Sequence, residues 1–359
     1  MMIVLLLTGG DNMEKYVKEI TINKNKNNVN GVFSINNTNI FYKVLNDSDY
    51  KNELIGYEIL KQHYNVCQKY FSIQKNGNNI VCYDYNENIY KNNGLIVDYF
   101  ANNDILTNEY KKILKNYYNV FKSTIKKNKK GNCRIFFEDR LDNRLLMNIK
   151  NKYFKIYDGS IIKFNKKVVK LDNKEIYRNI IKYFKKERKT WNVISNADPN
   201  DMNIGIDGVL FDYTAGGYVP IMCEFAVFMC YNLVQSEYLS LKYNCNAFKE
   251  HNRIYKFKNK VKVRNNMINH FPRKIRIDAI INYIDIIIKP IMKNIKYDEW
   301  YDDFKNYFAM KLLAVYNFDE MNNKDILLSL TYLNLFYNNN FNTIDDLKNF
   351  IIEIYEVIL

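Results

Sequence analysis

Apolar and polar positions alternate through much of the first hundred residues and then change to a helical period. "VFSI" (32–35) and "NIFYKVL" (39–45) read as strands flanking the turn-prone Asn36-Asn37-Thr38. In the next stretch, "DSDYKNELIGYEILKQHY", Leu54, Tyr57, Ile59 and Leu60 recur near helical spacing, and Asp47 or Ser48 can cap the start. Strands follow at 80–85 and 95–100. Beyond them the pattern predicts an amphipathic helix over 106–127 and a basic helix over 175–189. An apolar helix is expected over 223–243, and one over 275–293 with a break or kink at Pro290. Three more follow over 299–316, 324–337 and 344–359, the last capped by Thr343 with Asp346 in a capping-box position. The pattern predicts an α+β chain. Residues 1–100 form a small β-rich piece and residues 101–359 a large, mainly helical one, without internal repeats or a Gly/Ser linker.

One stretch breaks the helical pattern. "NADPNDMNIGIDGVLFDYTAGG" (196–217) sets the apolar runs 204–206 and 209–211 among Asp, Asn and Gly. Asp207-Gly208 is a strong two-residue hairpin signal. Counting outward pairs Ile206 with Val209, Gly205 with Leu210, Ile204 with Phe211, and Asn203 with Asp212. Directly opposite residues have Cβ atoms roughly 5 Å apart on one face. An amide oxygen and a carboxylate would then stand together, a hard-oxygen pair suited to Mg²⁺ completed by phosphates and water. Asp198, upstream as D-x-x-x-x-N, is placed to accept a proton from a hydroxyl nucleophile. Asp, then Asn, then Asp on the next strand is the layout of kinase-type phosphoryl transfer. A calcium loop counted from Asp198 fails, because Asn203 stands where glycine is needed and Val209 where glutamate is needed.

The amino-terminal pattern supplies the partners such a site needs. Lys43 is a charged residue inside the apolar strand "IFYKVL", placed to reach ATP phosphates, and Glu53 in the following helix can hold it, with Glu58 as competitor. "LIVDYF" (95–100) fits a hinge strand whose backbone, at Val97, Asp98 and Tyr99, would meet an adenine.

With these residues the chain resembles the aminoglycoside phosphotransferase/choline kinase family of protein-kinase-like phosphotransferases. The family's H-G-D-x-x-x-x-N loop reads Asn196-Ala197-Asp198 through Asn203 here. Its D-[FWY] with A-G reads Asp212-Tyr213-Thr214-Ala215-Gly216, and its following acidic residue reads Glu224. The order of elements matches over about 28–228, though only the catalytic segment is specific. The resemblance implies a bilobal protein-kinase-like fold. It implies Asp198 as base, Asn203 and Asp212 as Mg²⁺ ligands, Lys43 and Glu53 at the ATP phosphates, and Glu224 as a structural acid bracing the loop. Asn196 and Ala197 replace the family's His and Gly. No G-x-G-x-x-G occurs, so the turn near Asn30-Gly31 would cover the phosphates.

Composition adds less. The net charge of +14 favours polyanionic partners without choosing among them. "KYFKKERK" (182–189) and "RIYKFKNKVKVRNN" (253–266) interleave basic and aromatic residues as a nucleic-acid surface would, but a solvated lysine-rich face is the favoured explanation. Six cysteines without C-x-x-C read as free thiols of a reducing cytosol. The apolar start, 1–7, is too short for a membrane span, so a soluble cytoplasmic protein is expected. "YDEWYDDF" gathers Asp298, Glu299, Trp300 and Asp302, which suits a cationic acceptor, though an acidic helix start satisfying the dipole is the favoured explanation. The expected activity is ATP-dependent transfer to a hydroxyl of an amino sugar, sugar or amino alcohol. The rival readings are a catalytically inactive kinase-like binding protein and a basic nucleic-acid-binding protein.

Overall fold

Strands β1 (Asn30–Ile35) and β2 (Thr38–Leu45) pair antiparallel, with Asn30 opposite Lys43 and Gly31 opposite Tyr42. The computed structural model describes residues 30–35, 38–75, 78–87, 94–128, 137, 140–245 and 260–355. The apolar start, Cys133, His251 and the 253–259 part of the second basic run lie outside them. Alternation along β2 buries Ile40, Tyr42 and Val44 on one face and leaves Phe41, Lys43 and Leu45 on the other. That second face carries helix α1 (Asp47–Leu60), which Asn46 rather than Asp47 or Ser48 caps by accepting the Asp49 N–H. Tyr50, Glu53, Tyr57 and Leu60 form the buried stripe of α1. β3 (Lys69–Lys75) and β4 (Asn78–Asp84) complete a four-stranded sheet in the order β1-β2-β4-β3.

The expected strand over 95–100 is instead helix α2 (Ile96–Asn102). The orphan N–H groups of its first turn find acceptors that a strand pattern does not reveal. The Asp98 carboxylate takes the Leu95 N–H at 2.9 Å, and Ile96 and Val97 each donate at 2.9 Å, to the carbonyls of Ile204 and Asp201.

Helix α3 (Asn108–Thr124) leads into β5 (Lys126–Asn128). β6 (Ile161–Phe164) and β7 (Lys167–Lys170) form a hairpin, and α4 (Asn173–Lys185) ends short of the expected 189. β8 (Thr190–Ser195) and β9 (Gly217–Pro220) join β5 in a three-stranded sheet. α5 (Ile221–Cys230) is apolar and buried all round, and continues helically to Tyr243 through a π-helical stretch. β10 (Lys260–Arg264) and β11 (Met267–Phe271) pair with β6 and β7 in a second four-stranded sheet. The helical run that begins with α6 (Lys274–Tyr283) continues past Pro290 without ending there. A π-helical turn over Ile284–Ile288 widens the coil just ahead of the ring, and helix resumes over Lys289–Met292.

α7 (Trp300–Leu313), α8 (Asn323–Tyr337) and α9 (Ile344–Tyr355) finish the helical body. The expected box before α9 forms, with Thr343 Oγ1 accepting the Asp346 N–H at 3.1 Å and the Asp346 carboxylate accepting the Thr343 N–H at 2.8 Å. The result is a mixed α+β molecule with three small sheets among the described residues, dominated by helix. Among those residues no helix is long and apolar enough to cross a membrane.

Candidate functional site

β8 ends at Ser195 and β9 starts at Gly217, and these two residues face each other in the sheet. Residues 196–216 are therefore one excursion held at both ends. A hairpin forms within it, as expected, but its register differs by one. Ile204 pairs with Leu210, and the Gly205 N–H donates to the Val209 carbonyl at 2.8 Å. Three residues, Ile206, Asp207 and Gly208, make the turn. Gly208 alone of these takes positive φ, at 82°, while the Asp207 carboxylate accepts the Val209 N–H. A turn followed by a left-handed glycine is the three-residue hairpin solution, and the two-residue form would need positive φ at Asp207 as well. The Asn203 carbonyl accordingly accepts from Phe211 N–H at 2.8 Å, and Asn203 does not stand opposite Asp212. Neighbouring chain grips both rails: Ile206 donates to the Gly94 carbonyl and Leu210 to the Asn65 carbonyl. The two apolar runs thus anchor the hairpin.

Past the hairpin the chain turns at Asp212, with φ of 58°, and meets α1. Gly56 of α1 permits that meeting, since a Cβ there would lie 1.9 Å from the Tyr213 carbonyl oxygen. The Lys43 ammonium contacts Glu53 Oε1 at 3.0 Å and Asp212 Oδ1 at 2.9 Å, joining residues as far as 169 positions apart. Burial opposes the charge on Lys43, but Asp212 and Glu53 outweigh it and hold the ammonium well above its ordinary range. Lys43 in turn holds the Asp212 carboxyl below its ordinary value. Glu53 is fully buried and satisfied. Besides Lys43 it accepts from the Tyr83 hydroxyl at 2.8 Å, the Tyr213 N–H at 3.1 Å and the Thr214 hydroxyl at 2.8 Å. Glu58 instead pairs with Lys61 and Lys69.

Asp198 lies on the loop that starts the excursion. Its Oδ2 accepts from Asn200 Nδ2 at 2.9 Å and Asn203 Nδ2 at 3.2 Å, and the Asn203 amide also reaches the Asp198 carbonyl. Asn196 is buried and points its Nδ2 at the same carbonyl from 3.5 Å. Ala197 adopts φ of 62°, a conformation glycine would take without strain. Both Asn203 and Asp212 line the same cavities. The Asp212 carboxylate accepts from Lys43, the Thr214 hydroxyl and the Thr214 backbone N–H, while the Asn203 amide nitrogen carries that side chain's contacts and leaves its Oδ1 without a hydrogen bond among the described residues. An amide oxygen and an ionised carboxylate bordering the same cavities fit a Mg²⁺ that takes its remaining ligands from phosphate and water. Among the described residues no three His, Cys, Asp or Glu side chains gather into a metal-binding group of their own.

A cleft runs through these residues. A narrow part of about 120 Å³ lies among Phe41, Lys43, Cys67, Asp84, Leu95, Met202 and Phe211. A wider part of about 550 Å³ reaches from Asp198, Asn203 and Asp212 to Tyr231, Tyr243, Tyr316 and Arg144. Val97, Asp98 and Tyr99 line neither: the Val97 N–H is taken by the Asp201 carbonyl, the Asp98 carboxylate caps α2 at Leu95, and Tyr99 stacks on Tyr110. Leu95, the residue before that helix, is the part of the expected hinge that borders the cleft. Gly31 sits in β1, not in a turn. A Cβ there would lie 2.5 Å from the Tyr42 hydroxyl, so packing accounts for the glycine, and the adjacent Asn30 faces the cleft.

The acidic run 298–303 also lies off the cleft. Asp298, Glu299, Trp300 and Asp302 sit at or just before the start of α7, with Trp300 buried and Asp302 paired to Arg188 at 3.0 Å. Local spacing could not have revealed Lys311. It stands in the last turn of that same helix and reaches Asp198 Oδ1 at 3.4 Å. No family model matches the chain, and no curated protein matches it.

Proposed function

We propose that the protein is an ATP-dependent phosphotransferase, protein-kinase-like in the manner of the aminoglycoside phosphotransferase/choline kinase family, that moves the γ-phosphate to a hydroxyl of a small molecule. One observation carries this reading: Lys43 bridges Glu53 and Asp212 within 3.0 Å, beside a cleft that Asp198 and Asn203 also line. In that arrangement Lys43 holds the nucleotide phosphates and Glu53 fixes the lysine. Mg²⁺ at Asn203 and Asp212 would supply further charge neutralisation at the phosphates. The acceptor oxygen bonds to the γ-phosphorus as the bond to the leaving ADP oxygen breaks, and the hydroxyl proton passes to Asp198.

The wider cavity is lined to hold a hydroxyl-rich acceptor, with Glu320 as the one wall carboxylate that has no cation partner among the described residues. Three carboxylates on its wall already have cations: Asp198 with Lys311, Asp201 with Arg276 and Asp212 with Lys43. Tyr231, Tyr243, Tyr316, Ser236, Asn244 and Asn317 add neutral donors and acceptors, and Arg144 and Glu320 add one charge of each sign. The nucleic-acid reading loses support in the first basic run, where Tyr183 and Phe184 are buried and offer no stacking platform.

The test is single-turnover transfer across a panel of sugars, polyols, nucleosides, amino sugars, choline and ethanolamine. Asp198→Asn should cut transfer by about 10²–10⁴-fold, the contribution of general-base catalysis, with ATP affinity nearly intact. Equal rates would remove Asp198 from the mechanism. Absence of transfer by the wild-type protein to every acceptor would favour the inactive binding protein.

A further inference from the structure

The Asp198 loop, Asp198-Pro-Asn-Asp-Met-Asn203, contains no basic residue. Lys43 is engaged elsewhere, with Glu53 and Asp212. Positive charge nevertheless reaches Asp198 from 113 residues away, through Lys311 of α7. The Lys311 side chain is only 8% exposed, so its placement is not that of a solvated surface lysine. Its ammonium lies 3.4 Å from Asp198 Oδ1 and 3.3 Å from the Tyr231 hydroxyl, over the Tyr231 ring. Asp198 is its only carboxylate partner among the described residues. An ammonium withdrawn from water needs such a partner. The two asparagines occupy Oδ2, while Lys311 reaches Oδ1 and the Tyr231 hydroxyl that Lys311 contacts also bonds the carboxylate.

We propose that Lys311 is a positioning residue of the transfer centre: it turns the Asp198 carboxylate toward the acceptor hydroxyl and keeps positive charge beside it. The proposal rests on the phosphotransfer reading above. Two of the three ammonium N–H groups are committed, to Asp198 and Tyr231. When the acceptor proton moves onto Asp198, the carboxylate becomes neutral. The charge of Lys311 is then uncompensated beside the transferring group, whose oxygens are negative. Carboxylate and lysine thus act as a unit assembled from positions 113 residues apart.

The experiment is a double-mutant cycle of Lys311→Met and Asp198→Asn, read in single-turnover transfer from Mg²⁺-ATP to the best acceptor of the panel. Lys311→Met should lower kcat by about 10²-fold, the scale of losing one preorganised charge contact, with the KM for ATP nearly unchanged. Lys311→Arg should keep most of the rate. In the Asp198→Asn background, Lys311→Met should cost little more, because the group through which it acts has gone. A merely structural lysine would cost the same in both backgrounds and shift the KM for ATP as well, and that result would overturn the proposal. So would a Lys311→Met variant as fast as wild type, or faster. Should Lys311→Met not fold, Lys311→Arg and Lys311→Gln form the comparison, and equal kcat in those two overturns it. A wild-type protein that transfers to no acceptor overturns the underlying reading too, whereas an active wild type with an indifferent Lys311 overturns this proposal alone.

Discussion

Glu224 shows how far one side chain can depart from its usual state. It follows β9 in the first turn of α5, fully buried, with neither carboxyl oxygen in a well-formed hydrogen bond among the described residues. Burial pushes its carboxyl up to about 8, against a smaller opposing pull from the Ser195 hydroxyl. At neutral pH the expected brace of the Asp198 loop is thus mostly an uncharged acid. In the unfolded chain the same group titrates near 4.5, so between that pH and about 8 the folded protein keeps a proton the unfolded chain has released. Its contribution to stability therefore falls as pH rises through that window and levels off above it. Glu224→Gln keeps the shape and removes the titration. Denaturant unfolding at pH 5.5 and 8.5 should show a smaller loss at the higher pH in the variant than in wild type, and equal losses would contradict the assignment. At this scale the sequence was most informative where partners are local or patterned: Lys43, Glu53, Asp198, Asn203 and Asp212 all border or brace one cleft. Lys311 and Thr214 were not legible, because nothing near them in the chain marks their contacts with Asp198 and Glu53.

Among elements, what was legible depended on how strongly local chemistry dictates conformation. The Thr343–Asp346 box fixes the start of α9 from within four residues, and the reading was sufficient. Residues 95–100 were too few to display a period, and their helix is set by acceptors on the 198–204 loop. β6–β7 and β10–β11 are local hairpins turning at left-handed Asn165 and Asn265, and their Asn-Lys and Asn-Asn turns went unread in an Asn- and Lys-rich chain; only two residue pairs join the hairpins across about a hundred residues. The Asp207-Gly208 hairpin is intermediate: its existence was evident, its register was not, since a two-residue and a three-residue turn share those letters. The choice has a consequence. Only Gly208 is left-handed, and nothing lies within 4 Å of a Cβ added there, so the whole cost of a side chain is backbone strain. Gly208→Ala should destabilise by about 1–2 kcal/mol, the penalty of a left-handed L-residue, and Gly208→Asn by less. Asp207→Ala should cost less than Gly208→Ala, because Asp207 needs no positive φ. Chemical denaturation of the three variants checks the order, and a larger loss at Asp207 would restore the two-residue turn.

For the molecule as a whole, the cleft depends on two regions docking, and Glu53 is where they are tied. It receives Tyr83 from the amino-terminal sheet and Tyr213 and Thr214 from the loop leading into β9, while Gly56 lets α1 settle directly on that loop. The nucleotide proposal therefore makes a prediction about global stability. A ligand that binds only the folded protein stabilises it by about 2.7 kcal/mol at a hundredfold excess over Kd. Mg²⁺-ATP should raise the melting temperature accordingly. A chelator should remove most of that gain, because the proposed Mg²⁺ at Asn203 and Asp212 bridges to the phosphates. Asp212→Asn tolerates the left-handed backbone at 212 and leaves Lys43 with Glu53, yet removes the charged ligand, so it should abolish the Mg²⁺-dependent part with little change in the unliganded protein. Lys43→Met should remove the larger share, by deleting the phosphate contact itself. The basic surface offers a competing explanation of any ATP effect, since a net charge of +14 attracts polyanions without a site. The two differ in salt and metal dependence. Surface attraction fades between low and physiological ionic strength and is weakened by Mg²⁺, whereas a cleft complex needs Mg²⁺ and keeps most of its stabilisation in salt. A thermal shift that ATP produces equally without Mg²⁺, that Asp212→Asn leaves untouched and that 0.15 M salt erases would assign ATP to the surface and remove the cleft from the nucleotide reading.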